Sequence, residues 1–261
     1  MNFETIRIAT DARGVATLTL HRPDKHNAMS GRMIEELGEV AQLLGEDAAV
    51  RVVILTGAGD SFCAGGDLAW MRAQASASRE QRVAEARKLA VALRALNELP
   101  KPVIGRINGQ AFGGGLGLIS VCDTAVAVDA ARFGFTEVRL GLIPATISPF
   151  VLARMGEGRA RRVFMSARIF AAEEARELAL VARVVGAGEL DAAIETEVTP
   201  YLAASPQAVA AAKALARSLG PVIDDATTER TLALLADCWE TADTAEGIAA
   251  FFERRRPAWQ R

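Results

Sequence analysis

Two glycine-rich segments decide the fold of this chain: Phe62-Cys63-Ala64-Gly65-Gly66-Asp67-Leu68 and Asn108-Gly109-Gln110-Ala111-Phe112-Gly113-Gly114-Gly115-Leu116-Gly117. Each is predicted to be a bend that leads into a helix. Glycine lets backbone N–H groups approach a ligand without a side chain in the way. Two such N–H groups, one from each segment, could converge on one oxygen atom. They would then form an oxyanion hole, which stabilises negative charge that develops during a reaction.

A carboxylate follows these segments, in the stretch Phe133-Gly134-Phe135-Thr136-Glu137-Val138-Arg139-Leu140. Apolar neighbours raise a carboxyl pKa towards neutrality, the range that suits general acid–base catalysis. Glu137 is therefore a candidate acid/base. The alternative interpretation is a surface glutamate between a strand and a turn.

Composition and charge narrow the classes of function. The 261 residues are 51% hydrophobic and 24% charged, which is enough for a full core in one large domain or two small ones. The net charge of −2 offers no attraction to a polyanion, so no nucleic-acid partner is expected. The helical pattern over residues 32–51 is predicted to present an acidic face. Its acidic residues are Glu35, Glu36, Glu39, Glu46 and Asp47.

The N-terminus and the cysteines suggest a compartment. No apolar signal segment follows Met1 and no apolar run is long enough to span a membrane, so we expect a cytoplasmic protein without a membrane partner. Cys63, Cys122 and Cys238 form an odd, widely spaced set, which indicates reduced thiols. Neither a metal-ligand cluster nor a dinucleotide fingerprint is present in the sequence, so neither cofactor is predicted.

Strand and helix patterns alternate along the first two thirds of the chain, which favours an α/β fold. Strands are predicted at residues 6–9, 15–20, 52–55, 103–107, 125–128 and 182–185. Ser30 is predicted to cap a helix with one apolar stripe. The stripe consists of Met33, Ile34, Leu37, Val40, Ala41 and Leu44. Further helices are predicted at residues 79–98, 115–121, 206–219, 224–238 and 245–256.

In this order and spacing, the two glycine segments and Glu137 resemble the enoyl-CoA hydratase/isomerase family, the crotonases, from about residue 5 to the C-terminus. The resemblance implies a crotonase-like spiral of ββα units over residues 1–195 and a helical trimerisation region over residues 196–261. It also implies an acyl-CoA thioester substrate and a homotrimer or a hexamer built from two trimers. No cofactor is implied, because coenzyme A is part of the substrate.

The resemblance also assigns roles to residues. The N–H groups of Gly66 and Gly114 match the oxyanion hole, and Glu137 matches one of the family's two catalytic glutamates. The residues expected to bind substrate or CoA are Lys25, Ala28, Ala64, Gly65, Asp67, Leu68, Gly113, Arg72 and Arg139.

One position departs from the family pattern. The other catalytic glutamate of the family falls on Gly117. Either Glu137 alone activates water and returns the proton, or the enzyme only shifts a double bond. Asp123 is a weak candidate to replace the lost carboxylate, because it matches a position that is structural in the family.

A finer resemblance concerns the substrate. The stretches at residues 67–71, 140–151 and 254–259 are similar to those of 3-methylglutaconyl-CoA hydratases of leucine breakdown, in which glycine commonly occupies the position of Gly117. This resemblance implies interconversion of 3-methylglutaconyl-CoA and 3-hydroxy-3-methylglutaryl-CoA. Arg72 or Arg139 could bind the distal carboxylate, although an exposed salt bridge is an equally good interpretation of each. The alternatives are an enoyl-CoA isomerase and a catalytically weak acyl-CoA-binding subunit.

Overall fold

The computed structural model describes residues 3–260. The strands, in chain order, are β1 (Ile6–Thr10), β2 (Val15–Leu20), β3 (Val52–Gly57), β4 (Ser61–Cys63), β5 (Val103–Ile107), β6 (Gln110–Phe112), β7 (Thr124–Val128), β8 (Arg132–Gly134), β9 (Phe170–Ala171) and β10 (Arg183–Val185). The helices are α1 (Gly31–Glu46), α2 (Leu68–Ser76), α3 (Arg79–Glu98), α4 (Gly114–Ser120), α5 (Ser148–Met155), α6 (Glu157–Phe164), α7 (Ala172–Glu177), α8 (Leu190–Ala203), α9 (Pro206–Ser218), α10 (Asp225–Trp239) and α11 (Ala242–Glu253). Short 3-10 helices cover Pro23–Lys25, Glu137–Leu140 and Ala187–Glu189.

The strands form two sheets. The larger has six strands in the order β1-β2-β3-β5-β7-β10, and all its neighbours are parallel except β1 and β2. The smaller has the order β4-β6-β8-β9, with only β8 and β9 antiparallel. The chain passes from the larger sheet to the smaller one at β3–β4, β5–β6 and β7–β8, and after each pair it enters helical structure. This path confirms the predicted α/β spiral.

The core forms where local patterns predicted it. Val53, Ile104 and Val126 are buried in the central parallel strands, which explains why β3, β5 and β7 are rich in apolar residues. Helix α1 begins at the predicted cap, because the Ser30 hydroxyl oxygen accepts a hydrogen bond from the Met33 N–H at 3.3 Å. The whole predicted stripe of α1 is buried.

The smaller sheet was not visible in local patterns. Its strands are two or three residues long, too short for an alternation of polar and apolar residues to be read. Its existence depends on pairing between segments that are distant in sequence: Ser61 pairs with Gln110, Ala111 with Phe133, and Phe133 with Phe170.

The predicted acidic face of α1 is wrong at one position. Glu36 is fully buried, whereas the other four acidic residues of the set are exposed. Its Oε1 accepts the Glu4 N–H at 2.6 Å, and its Oε2 accepts the Thr5 N–H at 2.8 Å and the Thr5 hydroxyl. The Arg32 Nε lies 3.1 Å from Oε1. Glu36 therefore ties the start of β1 to α1 instead of facing solvent.

The C-terminal part is mostly helical, as predicted. Helix α8 packs against β5 and β7, and α10 packs along α3. The predicted boundary between residues 195 and 196 falls inside α8. The division into a spiral core and a trimerisation region, like the homotrimer or hexamer, stays a prediction. Across residues 3–260, every helix is too short or too polar to cross a bilayer.

The buried position of Glu36 leads to a stability prediction. In Glu36→Gln the amide NH₂ would face an N–H donor, and one charged acceptor would be lost, so we expect the free energy of unfolding to fall by about 2 kcal/mol. Urea unfolding measures this change. The matched control is Glu35→Gln, which alters an exposed ion pair with Lys88 and should cost less than about 0.5 kcal/mol. Equal effects of the two variants would contradict the structural role of Glu36.

Candidate active site

Three segments that are distant in sequence meet at one edge of the smaller sheet. Because β4, β6 and β8 are parallel neighbours, their carboxyl ends lie side by side. The residues that follow these strands are 64–67, 113–114 and 135–137. Ligands of α/β folds commonly bind outside the carboxyl ends of parallel strands. The topology therefore brings both glycine segments and Glu137 to one place.

Gly66 has an N–H group that the adjacent chain segment does not use. Gly65 accepts the Met29 N–H at 2.7 Å, and Asp67 donates its N–H to the Met29 carbonyl at 3.0 Å. Gly66 lies between them, opposite Met29. Since successive N–H groups of an extended segment point to opposite sides, the Gly66 N–H points away from Met29. That is the side on which β6 pairs with β4.

Gly114 follows β6 and lies at the start of α4. The first N–H groups of a helix have no partner within the helix, so they are available to an anion. The backbones of the two glycine segments touch. A Cβ on Gly65, whose φ is +91°, would lie 3.0 Å from the Phe112 carbonyl oxygen, and one on Gly115 would lie 2.7 Å from the Cys63 carbonyl oxygen. The N–H groups of Gly66 and Gly114 therefore belong to two segments that are in direct backbone contact.

Glu137 borders the second glycine segment. Its Oε1 is 3.1 Å from the place that a Cβ of residue 113 would take. Its other carboxyl oxygen is buried and has no hydrogen-bond partner within the described residues. Burial raises the pKa of Glu137 to about 7, although the hydrogen bond from its own backbone N–H acts in the opposite direction. Such a carboxyl group exchanges a proton readily near neutral pH.

Gly117 faces an apolar wall. It lies one helical turn beyond Gly113 and Gly114, on the same face of α4. A Cβ at this position would be 2.5 Å from Cγ2 of Ile147 and 3.3 Å from Cδ1 of Leu93. The volume that a glutamate side chain would need is therefore filled by these two side chains.

Asp123 does not replace the missing carboxylate. Its Oδ2 accepts the Val103 N–H at 2.7 Å and forms an ion pair with the Lys213 Nζ at 2.8 Å. These contacts tie the start of β7 to β5 and to α9. This structural role agrees with the prediction that Asp123 is only a weak candidate for the second carboxylate.

Comparison with known proteins now identifies the family. The family model described as enoyl-CoA hydratase/isomerase matches residues 10–261. The chain belongs to this family. It is 32% identical to a crotonyl-CoA hydratase of Syntrophomonas wolfei, over 98% of each chain. It is 34% identical to a short-chain-enoyl-CoA hydratase of Clostridium acetobutylicum, over 93% of this chain and 92% of that one. A crystal structure of an enoyl-CoA hydratase from Shewanella pealeana is 40% identical, with a TM-score of 0.81 over 98% of this chain and 96% of that one.

The chain is thus an enoyl-CoA hydratase-type enzyme, a lyase of the crotonase family whose substrate is an acyl-CoA. The arrangement at the sheet edge has the parts that such chemistry needs: two backbone N–H groups that can bind the thioester oxygen, and one carboxyl group with a pKa near neutrality. The individual roles of Gly66, Gly114 and Glu137 remain predictions for this hydratase.

Two of the predicted CoA-binding segments lie side by side. Ala64 donates its N–H to the His26 carbonyl at 2.9 Å, which places the turn that carries Lys25 next to the first glycine segment. Lys25 and Leu68 are exposed, and Ala28 is buried. The geometry is compatible with one continuous binding surface.

Asp67 contributes to the fold of this surface through its side chain. The carboxylate caps α2 by accepting the N–H groups of Ala69 at 2.8 Å and Trp70 at 3.2 Å, and it pairs with Arg22 at 2.9 Å. Burial favours a higher pKa for Asp67, but these hydrogen bonds and the arginine outweigh it and hold the pKa below its usual value. Only the backbone of Asp67 is left to contact a ligand.

The two arginine candidates differ in their surroundings. The Arg72 guanidinium lies 4.6 Å from the ring centroid of Phe252, and Arg139 donates to the Ala167 carbonyl at 2.5 Å. Neither has a carboxylate partner within residues 3–260. The alternative interpretation, an exposed salt bridge, is therefore wrong for both in this part of the chain.

Sequence reasoning missed the apolar side chains that surround the glycine segments. The Met29 Cε fills the place that a Cβ of Gly114 would take, and Ile147 does the same at Gly117. The sequence indicates only weakly that Met29 lies at the site, since Met29 follows the turn that is predicted to bind CoA. It gives no indication for Ile147, because Ile147 is thirty residues away from Gly117 and no periodicity connects the two.

The packing at Gly117 can be tested by stability. Gly117→Ala puts a Cβ against Ile147 and should lower the free energy of unfolding by about 1–3 kcal/mol. The control is Gly38→Ala in α1, where a Cβ meets nothing within 4 Å; it should stabilise the protein by about 0.5–1 kcal/mol. Chemical denaturation measures both. A second control combines Gly117→Ala with Ile147→Ala. Removal of the Ile147 side chain should offset part of the loss of stability that Gly117→Ala causes. Similar effects of the two glycine substitutions would contradict the contact.

Proposed function

We propose that the enzyme catalyses the reversible hydration of a branched enoyl-CoA, best represented by 3-methylglutaconyl-CoA and its hydrate 3-hydroxy-3-methylglutaryl-CoA. The observation that carries this proposal is the apolar wall of Ile147 and Leu93 at Gly117. A hydratase with two carboxylates would hold water between them. Here one side of the reacting centre is apolar, which suits a substrate whose C3 carries a methyl branch.

In the proposed mechanism the thioester oxygen accepts hydrogen bonds from the N–H groups of Gly66 and Gly114. Addition of water at C3 moves electrons towards this oxygen, and the resulting enolate is stabilised by donors that are already in place. Removal of one such donor typically raises the barrier by about 3–4 kcal/mol.

Glu137 performs both proton transfers. Its carboxylate takes a proton from water while the water oxygen bonds to C3. The protonated carboxyl group then returns that proton to C2 as the enolate collapses, so the net change is the addition of one water molecule. A pKa of about 7 supports this double role, because both protonation states are accessible near neutral pH.

Arg72 is our candidate for the distal carboxylate of the substrate. It lies in α2, directly after the first glycine segment, and one face of its guanidinium is covered by Phe252. Stacking of that face leaves the N–H edge free for a bidentate contact with a carboxylate. Arg139 is the second candidate, although its Nη2 is already used by the Ala167 carbonyl.

A second candidate function is isomerisation of a 3-enoyl-CoA. The single carboxylate at the site favours it, because a double-bond shift needs one base that moves one proton. The two reactions differ in one measurable respect. Hydration incorporates oxygen from ¹⁸O-labelled water into the product, whereas isomerisation does not.

The role of Glu137 leads to a prediction of activity and pH dependence. Glu137→Gln should lower kcat by about 10²–10⁴-fold, the range typical of a lost acid/base. Because hydration begins with an ionised Glu137, wild-type kcat/KM should rise as pH increases through about 7 and then level off. Steady-state assays of the enoyl-thioester absorbance measure both. An unchanged rate in Glu137→Gln, with ordinary CoA-ester affinity, would point instead to a weak acyl-CoA-binding subunit.

The substrate assignment is tested with a matched pair of esters. We expect a higher kcat/KM for 3-methylglutaconyl-CoA than for crotonyl-CoA. Arg72→Gln should reduce activity on the carboxylated ester by about 10–100-fold, the loss expected for one charged hydrogen-bond pair, while crotonyl-CoA hydration changes little. Arg139→Gln serves as the comparison variant. Preference for crotonyl-CoA in the wild-type enzyme would overturn the branched substrate and leave the family and Glu137 untouched.

A further inference from the structure

The turn that carries Glu137 is packed directly against α11. It runs from Glu137 to Leu140 and ends at Gly141, whose φ is +73°. A Cβ on Gly247 of α11 would lie 2.6 Å from the Leu140 carbonyl carbon, and a Cβ on Gly141 would lie 2.6 Å from the Thr244 backbone nitrogen. Only glycine at both positions lets the two backbones approach this closely. Because α11 lies directly against residues 140 and 141, the turn that carries Glu137 cannot move towards this helix.

A buried hydroxyl reinforces the contact. Thr244 is 1% exposed, and its Oγ1 is 2.9 Å from the Gly141 carbonyl oxygen, to which it can donate. The Thr244 Oγ1 is also 2.7 Å from the Cys238 carbonyl oxygen, but the Thr241 hydroxyl reaches that same acceptor at 2.8 Å. A consistent assignment lets Thr241 donate to Cys238 and Thr244 donate to Gly141. Helix α11 thus binds the far end of the Glu137 turn.

The other end of α11 touches the first glycine segment through α2. Phe252 lies in the last turn of α11 and stacks on Arg72 at 4.6 Å. Helix α2 starts at Leu68, directly after Gly66 and Asp67. One helix therefore contacts both the turn of the candidate acid/base and the helix that follows the candidate oxyanion donor.

Helix α11 is itself held in place from outside the site. It packs on α10, and α10 packs along α3. Ion pairs join α3 to α10 at both ends: Arg79 pairs with Asp237 at 2.7 Å, and Arg94 pairs with Asp225 at 2.6 Å. Helix α3 also carries Leu93, which is part of the wall at Gly117. Through α10 and α3, helix α11 is thus anchored to the part of the fold that builds the site.

We propose that α11 is a brace that sets the position of Glu137 relative to the oxyanion segment, with Thr244 and Gly247 as its positioning residues. The proposal rests on the acid/base role proposed for Glu137. Neither residue touches the reacting atoms; both act through the turn at residues 137–141. A misplacement of about 1 Å in a catalytic group can cost about a hundredfold in rate, so a small shift of this turn should be visible in kcat.

The test compares two helical glycines. Gly247→Ala pushes a Cβ into the Leu140 backbone, and we expect kcat to fall about 10–100-fold. KM and the affinity for free CoA should stay within about twofold, because the atoms nearest to the new Cβ all belong to Leu140, and the contact of α11 with Arg72 lies at the other end of the helix. Gly38→Ala, which meets open space, should leave all three values unchanged. Thr244→Val keeps the shape and removes the hydroxyl. It should lower kcat by several-fold, and it provides the test if Gly247→Ala does not fold.

A double-mutant cycle separates positioning from general damage. In the Glu137→Gln background the brace has no acid/base to position, so adding Gly247→Ala or Thr244→Val should change the residual rate by less than about twofold. Additive losses would overturn the brace, as would wild-type kcat in folded Gly247→Ala. Circular dichroism and thermal melting establish that each variant is folded. Wild-type activity in Glu137→Gln alone would overturn the proposed function first, so the two failures are distinguishable.

Discussion

Direct contact between two backbones is the constraint on which the rest of this site depends. At Gly65 and Gly115 the neighbouring carbonyl oxygens of Phe112 and Cys63 occupy the space next to the Cα atoms, so neither position has room for a side chain. This contact joins the loops after β4 and β6 into one unit, in which the N–H groups of Gly66 and Gly114 make no backbone hydrogen bond within the described residues. An oxyanion hole is effective because its donors are fixed before charge develops. In the proposed mechanism this backbone contact, together with the side chains of Met29 and Cys63 that pack on Gly114 and Gly115, supplies that rigidity.

The position of Glu137 shows how the same topology creates a reactive group. The strand order of the smaller sheet places the end of β8 beside the end of β6, so the carboxyl group lies against Gly113 and is shielded from solvent. Shielding disfavours the ionised form and raises its pKa to about 7. The buried Oε2 of Glu137 has no hydrogen-bond partner within the described residues; burial of such an atom costs stability, and such costs are concentrated at functional sites. Here the cost yields a carboxyl group that can both accept and donate a proton near neutral pH.

The departure from two carboxylates to one is not a simple deletion. Ile147 and Leu93 occupy the volume beside Gly117, so the site has no room for a second carboxylate side chain at this position. Protein interiors are close-packed, so the side chains that adjoin a glycine in the core fill the space beside it. In the proposed function the apolar wall and the single carboxylate act together: the wall limits the shape of the substrate, and Glu137 carries out both proton transfers.

Local patterns in the sequence were sufficient for much of the fold. The apolar runs identified β3, β5 and β7, and the serine cap with its stripe identified α1. The glycine segments and Glu137 were recognisable from their motifs, and the family resemblance predicted the spiral.

Other features involve residues far apart in the chain: Glu36 with Thr5, Ile147 with Gly117, and Gly247 with Leu140. Periodicity reports which face of an element is apolar, but not which distant segment will cover it. The sequence by itself determined the elements and the candidate chemical groups. Only the tertiary structure decided their neighbours, because burial, pKa and close approach are properties of contacts formed when the chain folds.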